Sequence, residues 1–261
     1  MTEIDTSKPH PARVYDWFLG GKDNYPVDQA MAEQLLKLDS RGPEMARTNR
    51  AFMHRATRRL AGSGVRQFLD IGTGIPTEPN LHQIAQQAAP DARIVYCDND
   101  PIVLAHAEAL LRSSPEGVTE YVQADAREPA TILERAGKIL DLDQPIALSL
   151  VALLHFIEDD DAHALVDYLM ERMPTGSFLV VSHVTGDFDP EGAAKGVAMY
   201  RERGLTLRPR SRDEVVAFFD GLELIEPGVA LAAEWRPELG EPVPTTGDAP
   251  IPGWVGVARK G

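Results

Sequence analysis

A single cysteine, Cys97, leaves this 261-residue chain unable to form an internal disulfide. Its stability has to come from packing, and its composition suits a reducing compartment. Cys97 lies inside an apolar strand pattern and reads as a small buried hydrophobe rather than a nucleophile. Positive charge is scarce: 26 Lys and Arg stand against 40 Asp and Glu, a formal net charge of −14. A field of that sign repels phosphates and argues against a general nucleic-acid or membrane-surface binder. The local run Arg47, Arg50, Arg55, Arg58 and Arg59 reads as a solvated helix face. Long apolar stretches are lacking as well. The longest, Ile146 to Ile157, falls short of the roughly 20 residues that span a bilayer. Met1 to Pro11 is polar and has no signal-peptide core. Together these absences predict a cytoplasmic protein. No spacing of His, Cys, Asp and Glu suggests a metal site; Glu158-Asp159-Asp160-Asp161 is a helix start, where acidic side chains suit the dipole. P-loop and G-x-S-x-G patterns are absent.

What is present is an alternation. The first 60 or so residues are helical and carry no strand pattern. Residues 1 to about 12 read as disordered or loosely attached. A short helix follows over Arg13–Leu19, then a turn at Gly20-Gly21-Lys22-Asp23-Asn24-Tyr25-Pro26. Further helices are predicted over Val27–Leu38 and from Pro43 to about Ala61. From Val65 strands and helices alternate. Strands are expected at Gln67–Ile71, Arg93–Cys97, Thr119–Gln123, Ile146–Val151 and Ser177–Ser182. Helices are expected at Asn80–Ala89, Pro101–Leu111, Ala130–Ile139 and Asp161–Met173. Such alternation builds a parallel sheet covered on both faces, an α/β fold. Ser211 to Glu214 is a capping box that starts another helix. Two late strands, Glu223–Ile225 and Trp254–Ala258, flank a proline-rich connection, Glu234 to Pro252. The division that follows is an N-terminal helical extension, 1–62, and an α/β domain, 63–261.

The chemistry concentrates at strand ends. Gln67-Phe68-Leu69-Asp70-Ile71-Gly72-Thr73-Gly74 closes one strand with a glycine turn, and Val95-Tyr96-Cys97-Asp98-Asn99-Asp100-Pro101 closes the next with acids. Glycines allow a backbone turn to approach an adenosine-containing ligand, and a carboxylate at the following strand end can accept both ribose hydroxyls. Pro76 stands where a dinucleotide fold needs a third glycine to bring a helix onto pyrophosphate. S-adenosylmethionine has no phosphate, so the pattern favours it over NAD. Asp100 reads as a helix N-cap. Asp125, after the third strand, is either an adenine acceptor or a loop carboxylate. His155, after the fourth strand, is a candidate general base or a loop-satisfying polar residue. His183 has the same two readings, and His10 and His54 offer nothing specific. Lys22, Asn24 and Tyr25 belong either to a well-made turn or to a lid over the site.

Asp70, Asp98 and Asp125, in order after consecutive strands, resemble the class I S-adenosylmethionine-dependent methyltransferases from about Val65 to Gly261. The chain is also similar, over nearly its whole length, to an actinobacterial family of candidate S-adenosylmethionine methyltransferases, formerly a domain of unknown function. Pro9 to Asp16, Leu19 to Tyr25, Phe68 to Gly74 and Asp98 to Pro101 carry that likeness. The resemblance implies a doubly wound Rossmann-like sheet of seven strands, order 3-2-1-4-5-7-6, with its last strand antiparallel. It implies that Gly72, Thr73 and Gly74 form the cofactor turn, with the glycines beside the methionyl part and Asp70 near its ammonium. Asp98 would hold the ribose, Asn99 would lie beside the adenine, and Asp125 with Ala126 would meet its edge. The expectation is a methyltransferase for a small-molecule acceptor. Its alternative is a non-catalytic S-adenosylmethionine-binding or regulatory module; a nicotinamide-dependent oxidoreductase is disfavoured by Pro76 and the late strand pair.

Overall fold

The alternating apolar runs pair into one mixed sheet. The computed structural model describes residues 5–103, 112–247 and 249–261. Its strands are β1 (Gln67–Ile71), β2 (Arg93–Asp98), β3 (Val118–Gln123), β4 (Ala147–Val151), β5 (Phe178–Val184), β6 (Glu223–Leu224), β7 (Ala230–Leu231) and β8 (Gly253–Arg259). They run in the order β3-β2-β1-β4-β5-β8-β6, with the two-residue β7 also pairing β8. The first five are parallel. β8 is antiparallel to β5 from Phe178↔Arg259 to Val184↔Gly253. The order is the expected one; β7 is an addition, a short pairing of Ala230 with Val255 at the far end of β8 from β6.

Side-chain alternation along buried strands divides the core in two. Leu69, Ile71, Val95, Cys97, Leu148, Leu150 and Val181 face one layer. That layer holds Ile132 and Leu133 of α5 (Pro129–Ala136), Leu165 and Leu169 of α6 (Asp159–Arg172) and Val215 of α8 (Arg212–Ala217). Phe68, Ile94, Tyr96, Ala147, Val180 and Val257 face the other. There they meet Phe52, Ala56 and Leu60 of α3 (Gly42–Gly62) and Leu81 and Ala85 of α4 (Leu81–Ala88). α3 is therefore part of the sheet's own core. The helix expected over Pro101–Leu111 starts at Pro101, capped by Asp100 Oδ1 on the Ile102 amide at 3.1 Å; its continuation over 104–111 lies outside the described residues.

α1 (Pro11–Phe18) and α2 (Pro26–Leu38) form a smaller cluster of Val14, Met31, Ala32 and Tyr200, the last from α7 (Pro190–Arg201). Sequence periodicity does not predict α7, because its two glycines and three alanines carry no apolar stripe. Its start is a cap: Asp189 Oδ1 accepts from the Gly192 amide at 2.9 Å, with Pro190 in the first turn. His10, immediately before α1, is tied down rather than loose. The buried Asp28 carboxylate accepts the amides of His10 and Tyr25, at 2.8 and 2.9 Å, joining both helix starts. Among the described residues no helix is long and apolar enough to cross a membrane.

Candidate active site

The carboxyl ends of β1 and β2 lie side by side, because Ile71 pairs with Cys97. The glycine turn is stitched to that neighbour. The amides of Gly72 and Thr73 donate to Cys97 O at 2.8 and 3.2 Å. Thr73 Oγ1 turns inward to Asp70 O at 2.9 Å, so its hydroxyl holds the turn itself. Gly72 and Gly74 have φ of 74° and 69°, a region side chains rarely adopt. A Cβ on Gly72 would also stand 2.7 Å from Leu153 Cδ1, whereas one on Gly74 would meet nothing nearer than Ala12 Cβ at 3.9 Å. α1 thus passes over the open side of the turn.

Asp98 is the hub. Its Oδ2 accepts from Gly74 N at 2.8 Å and its Oδ1 from Asp100 N at 3.0 Å. Each oxygen keeps a second lone pair for a ligand. Burial raises its pKa. Burial likewise pushes Asp70 up to about 7, with Thr73 and the Arg50 charge opposing and Asp98 adding to the rise. Asp100 does more than cap a helix. Arg13 Nε of α1 donates to its Oδ2 at 3.0 Å and His10 Nδ1 lies 3.3 Å from the same oxygen. His10 and Arg13 thereby bring the N-terminal segment onto the strand-end acids, a contact between positions 87 residues apart that no local pattern reveals.

The adenine-side candidates are partly brought together. Asn99 Nδ2 donates to Asp125 Oδ2 at 3.3 Å. Asp125 is also ion-paired to Arg127 at 2.7 Å, and that bond holds its pKa down to about 2. Ala126 packs against the core layer of β1 and β4. In the Gly20–Tyr25 turn, Tyr25 packs on the cluster of Ile75, Ile102 and Val103, and the Arg13 guanidinium lies 5.4 Å from its ring centroid. Asn24 is engaged within the turn, donating to Asp16 Oδ2 at 2.7 Å and accepting from Gln29 at 2.9 Å. Lys22 is exposed.

His155 sits in a 3₁₀ turn, Leu154–Phe156, just after β4. Ala152 before it has φ 56°, a left-handed non-glycine backbone of the kind that clusters at functional sites. The His155 Nδ1 is buried without a partner among the described residues. Burial, then His183 and Arg210, keeps the ring neutral. His183 can be separated from it by tautomer. Arginine only donates, so His183 Nε2, 2.8 Å from Arg210 Nη1, is the acceptor, and its Nδ1–H donates to Val184 O at 2.8 Å. With its lone pair taken, His183 is a structural residue. Arg210, 1% exposed, also donates to Leu154 O and Ile157 O at 2.8 and 3.0 Å, clamping both ends of the His155 turn.

The arginines of α3 form a solvated face only in part: Arg47 and Arg59 are exposed, but Arg50, Arg55 and Arg58 are not. Arg55 is buried, donating to Trp235 O at 2.8 Å and to Ala232 O. Arg50 reaches the carbonyls of Thr77 and Pro79 through Nη2, and Arg58 reaches Leu239 O. Burial explains the error: long side chains span from one helix to two loops that are remote in sequence.

A family model described as S-adenosyl methyltransferase matches residues 1–261. The chain belongs to the S-adenosyl methyltransferase family. It is 43% identical to a crystallised DUF574-family protein from Streptomyces avermitilis, covering 99% of this chain and 100% of that one at a TM-score of 0.91. It is 38% identical to a candidate methyltransferase from Thermobifida fusca, covering 98% and 96% at a TM-score of 0.88. The human N-acetylserotonin methyltransferase, crystallised with S-adenosylmethionine, is 13% identical and shares the fold at a TM-score of 0.52, over 95% of this chain and 62% of that one. Curated protein sequences include no match.

S-adenosylmethionine is the cofactor of this family, and the strand-end acids suit it. The molecule carries an ammonium and a sulfonium, and Asp70 is a buried carboxyl near the end of β1, beside the glycine turn. Of the two turn glycines, Gly74 has the more open space over it.

Proposed function

We propose that this methyltransferase-family chain methylates a small-molecule nucleophile. The observation that carries the reading is the acidic cradle: Asp98 binds the amides of Gly74 and Asp100 through one lone pair on each oxygen, which orients the carboxylate toward a vicinal diol. Asp70 supplies negative charge for the ammonium. When bound, the cofactor supplies a methyl group made electrophilic by its sulfonium. The protein's contribution is proximity and orientation for in-line displacement. Gly72, Thr73 and Gly74 shape the turn, Asn99, Asp125 and Ala126 line the end expected to meet adenine, and Tyr25 with α1 excludes water from above. Lys22 and Asn24 border that cover, and Asn24 acts through the turn it holds.

His155 is the candidate base for an acceptor hydroxyl or amine. A neutral imidazole with an unpartnered Nδ1 is able to take a proton at pH 7. Arg210 positions the turn that carries it. The neutrality of the ring also shows why the base is weak, and an acceptor that arrives already deprotonated would not require it.

Calorimetric titration with S-adenosylmethionine and S-adenosylhomocysteine, with NAD and ATP as controls, tests the cradle. Selective binding of S-adenosylmethionine and S-adenosylhomocysteine over NAD and ATP is expected. Asp98→Asn should weaken it by roughly 10- to 100-fold, the range for losing hydrogen bonds to a charged acceptor. Indifference to Asp98→Asn would remove the reading's foundation. Cofactor binding with no turnover on a broad acceptor panel would leave a binding module instead.

A further inference from the structure

Beside the acidic cradle lies a cavity of about 440 Å³ with the opposite charge. One face of α3 lines it, with Arg47, Arg50, His54 and Arg58 at successive turns. The Thr77–Pro79 segment, immediately beyond the glycine turn, forms a second side, and residues 240–243 of the late proline-rich connection form a third. Leu19 and Ile84 add apolar surface. The geometry points to this cavity as the site for an acceptor that carries a carboxylate or similar anion on an apolar body. The inference rests on the methyltransferase reading and assigns the class of its second substrate.

Charge separates the two ligands. The sulfonium and ammonium of the cofactor are drawn to Asp70 and Asp98, and its net positive charge disfavours a site lined by three guanidinium groups, although its one carboxylate does not. An anion is drawn the other way. In a chain of net charge −14, the cavity is a local reversal of the field that would otherwise exclude an acidic substrate. His54 adds no charge: burial and then the Arg50 charge push its pKa down to about 4. Its Nε2 lies 2.9 Å from Pro79 O, a carbonyl that can only accept, so Nε2 carries the proton and Nδ1 keeps its lone pair. Glu78 and Glu241 also line the cavity, but both are exposed; Arg50 and Arg58 are half-buried.

The donors have capacity left. The hydrogen bonds of Arg50 to Thr77 O and Pro79 O use only Nη2, and that of Arg58 to Leu239 O uses only Nη1. A guanidinium has five N–H donors in a fork that suits carboxylates. The volume falls in the range of small-molecule sites, about 300–1,000 Å³, and exceeds what a carboxylate alone would fill. The cavity is also electrostatically joined to the cradle, since Arg50 acts on Asp70 as well as lining the cavity.

The test uses the full chain saturated with S-adenosylhomocysteine. Benzoate is titrated as the probe anion, with benzamide as its uncharged counterpart, and binding is read by calorimetry. Benzoate should bind and benzamide should not. Arg47→Gln, at an exposed residue, should weaken benzoate by roughly three- to five-fold. Arg47→Gln with Arg58→Gln should weaken it on the order of ten-fold, with S-adenosylhomocysteine affinity unchanged in both. Equal binding of the two probes, or binding of neither, overturns the proposal. So does displacement of benzoate by S-adenosylhomocysteine. A further overturning result is an Arg47→Gln effect on S-adenosylhomocysteine that disappears with its decarboxylated analogue. Either result would assign the arginines to the cofactor's own carboxylate. Failure of S-adenosylhomocysteine to bind at all would instead bring down the methyltransferase reading on which the proposal stands.

Discussion

Asp70, which we propose meets the cofactor's ammonium, works against the fold that holds it. Burial pushes its pKa in the folded protein up to about 7, well above the 3.8 usual for an aspartate. Between those values the native state binds more protons than the unfolded chain. The stability linked to this group is therefore fully present below about pH 4 and lost as pH rises through about 7. Asp70→Asn should accordingly raise the melting temperature of the ligand-free protein at pH 8 and leave it nearly unchanged at pH 4. The ligand has the reverse preference. Only the ionised carboxylate attracts an ammonium, so affinity for S-adenosylhomocysteine should rise with pH up to about 7 and level off above. At pH 6.5, binding should release a proton, visible as a calorimetric enthalpy that depends on the buffer. A flat affinity profile in the wild type would detach Asp70 from the cofactor. His155 makes a separate prediction. With an acceptor in hand, His155→Ala should lower kcat by about 10²-fold or more if the ring takes a proton, with cofactor affinity unaltered. These carboxylates were legible from their place after successive strands. Their protonation states were not, because burial depends on what α1 and α3 lay over them.

At the scale of elements, α1 is fastened at the strand ends and is proposed to cover the site. Arg13 and Asp100 form a buried ion pair, with side chains 4% and 0% exposed, and Tyr15 Oη donates to Ala46 O of α3 at 2.9 Å. Asn49 of α3 donates to that same hydroxyl at 2.9 Å and accepts from Ser182 Oγ, which in turn accepts the Ala152 amide at 2.8 Å. A chain of hydrogen bonds thus runs from the cover to the left-handed residue at the end of β4. Removing residues 1–26 should reduce cofactor affinity while the sheet still unfolds cooperatively, because α3 rather than α1 contributes to the sheet's core. Unchanged affinity in the truncated protein, measured by titration with S-adenosylhomocysteine, would reject α1 as a lid. The elements themselves were largely readable. β1 has the expected bounds, and the capping box at Ser211 starts α8. α7 was missed because its signal is a cap and a proline rather than a stripe, and β7 because two residues carry no periodicity.

Across the whole molecule, the late connection is stapled to the helix that begins the fold. Trp235 is fully buried and meets Phe52 of α3 edge-on, with ring centroids 5.3 Å apart. Arg55 and Arg58 hold the carbonyls around it. Trp235→Ala should cost about 3–5 kcal/mol and, by loosening residues 240–243, should impair the arginine-lined cavity before the acidic cradle. Chemical denaturation measures the first effect and paired benzoate and S-adenosylhomocysteine titrations the second. By itself the sequence determined the alternating strands and helices and the acidic strand ends, because apolar runs, glycine turns and caps act over a few residues and are written locally; the strand order and the family came from the resemblance those segments carry. Only the tertiary structure decided that His10 and Arg13 reach Asp100, that His183 is committed to Arg210 while His155 is not, and that Arg50 and Arg58 line a cavity and Arg55 is buried. Those outcomes depend on which distant surfaces meet, and charge and burial at a point are set by every segment that packs there.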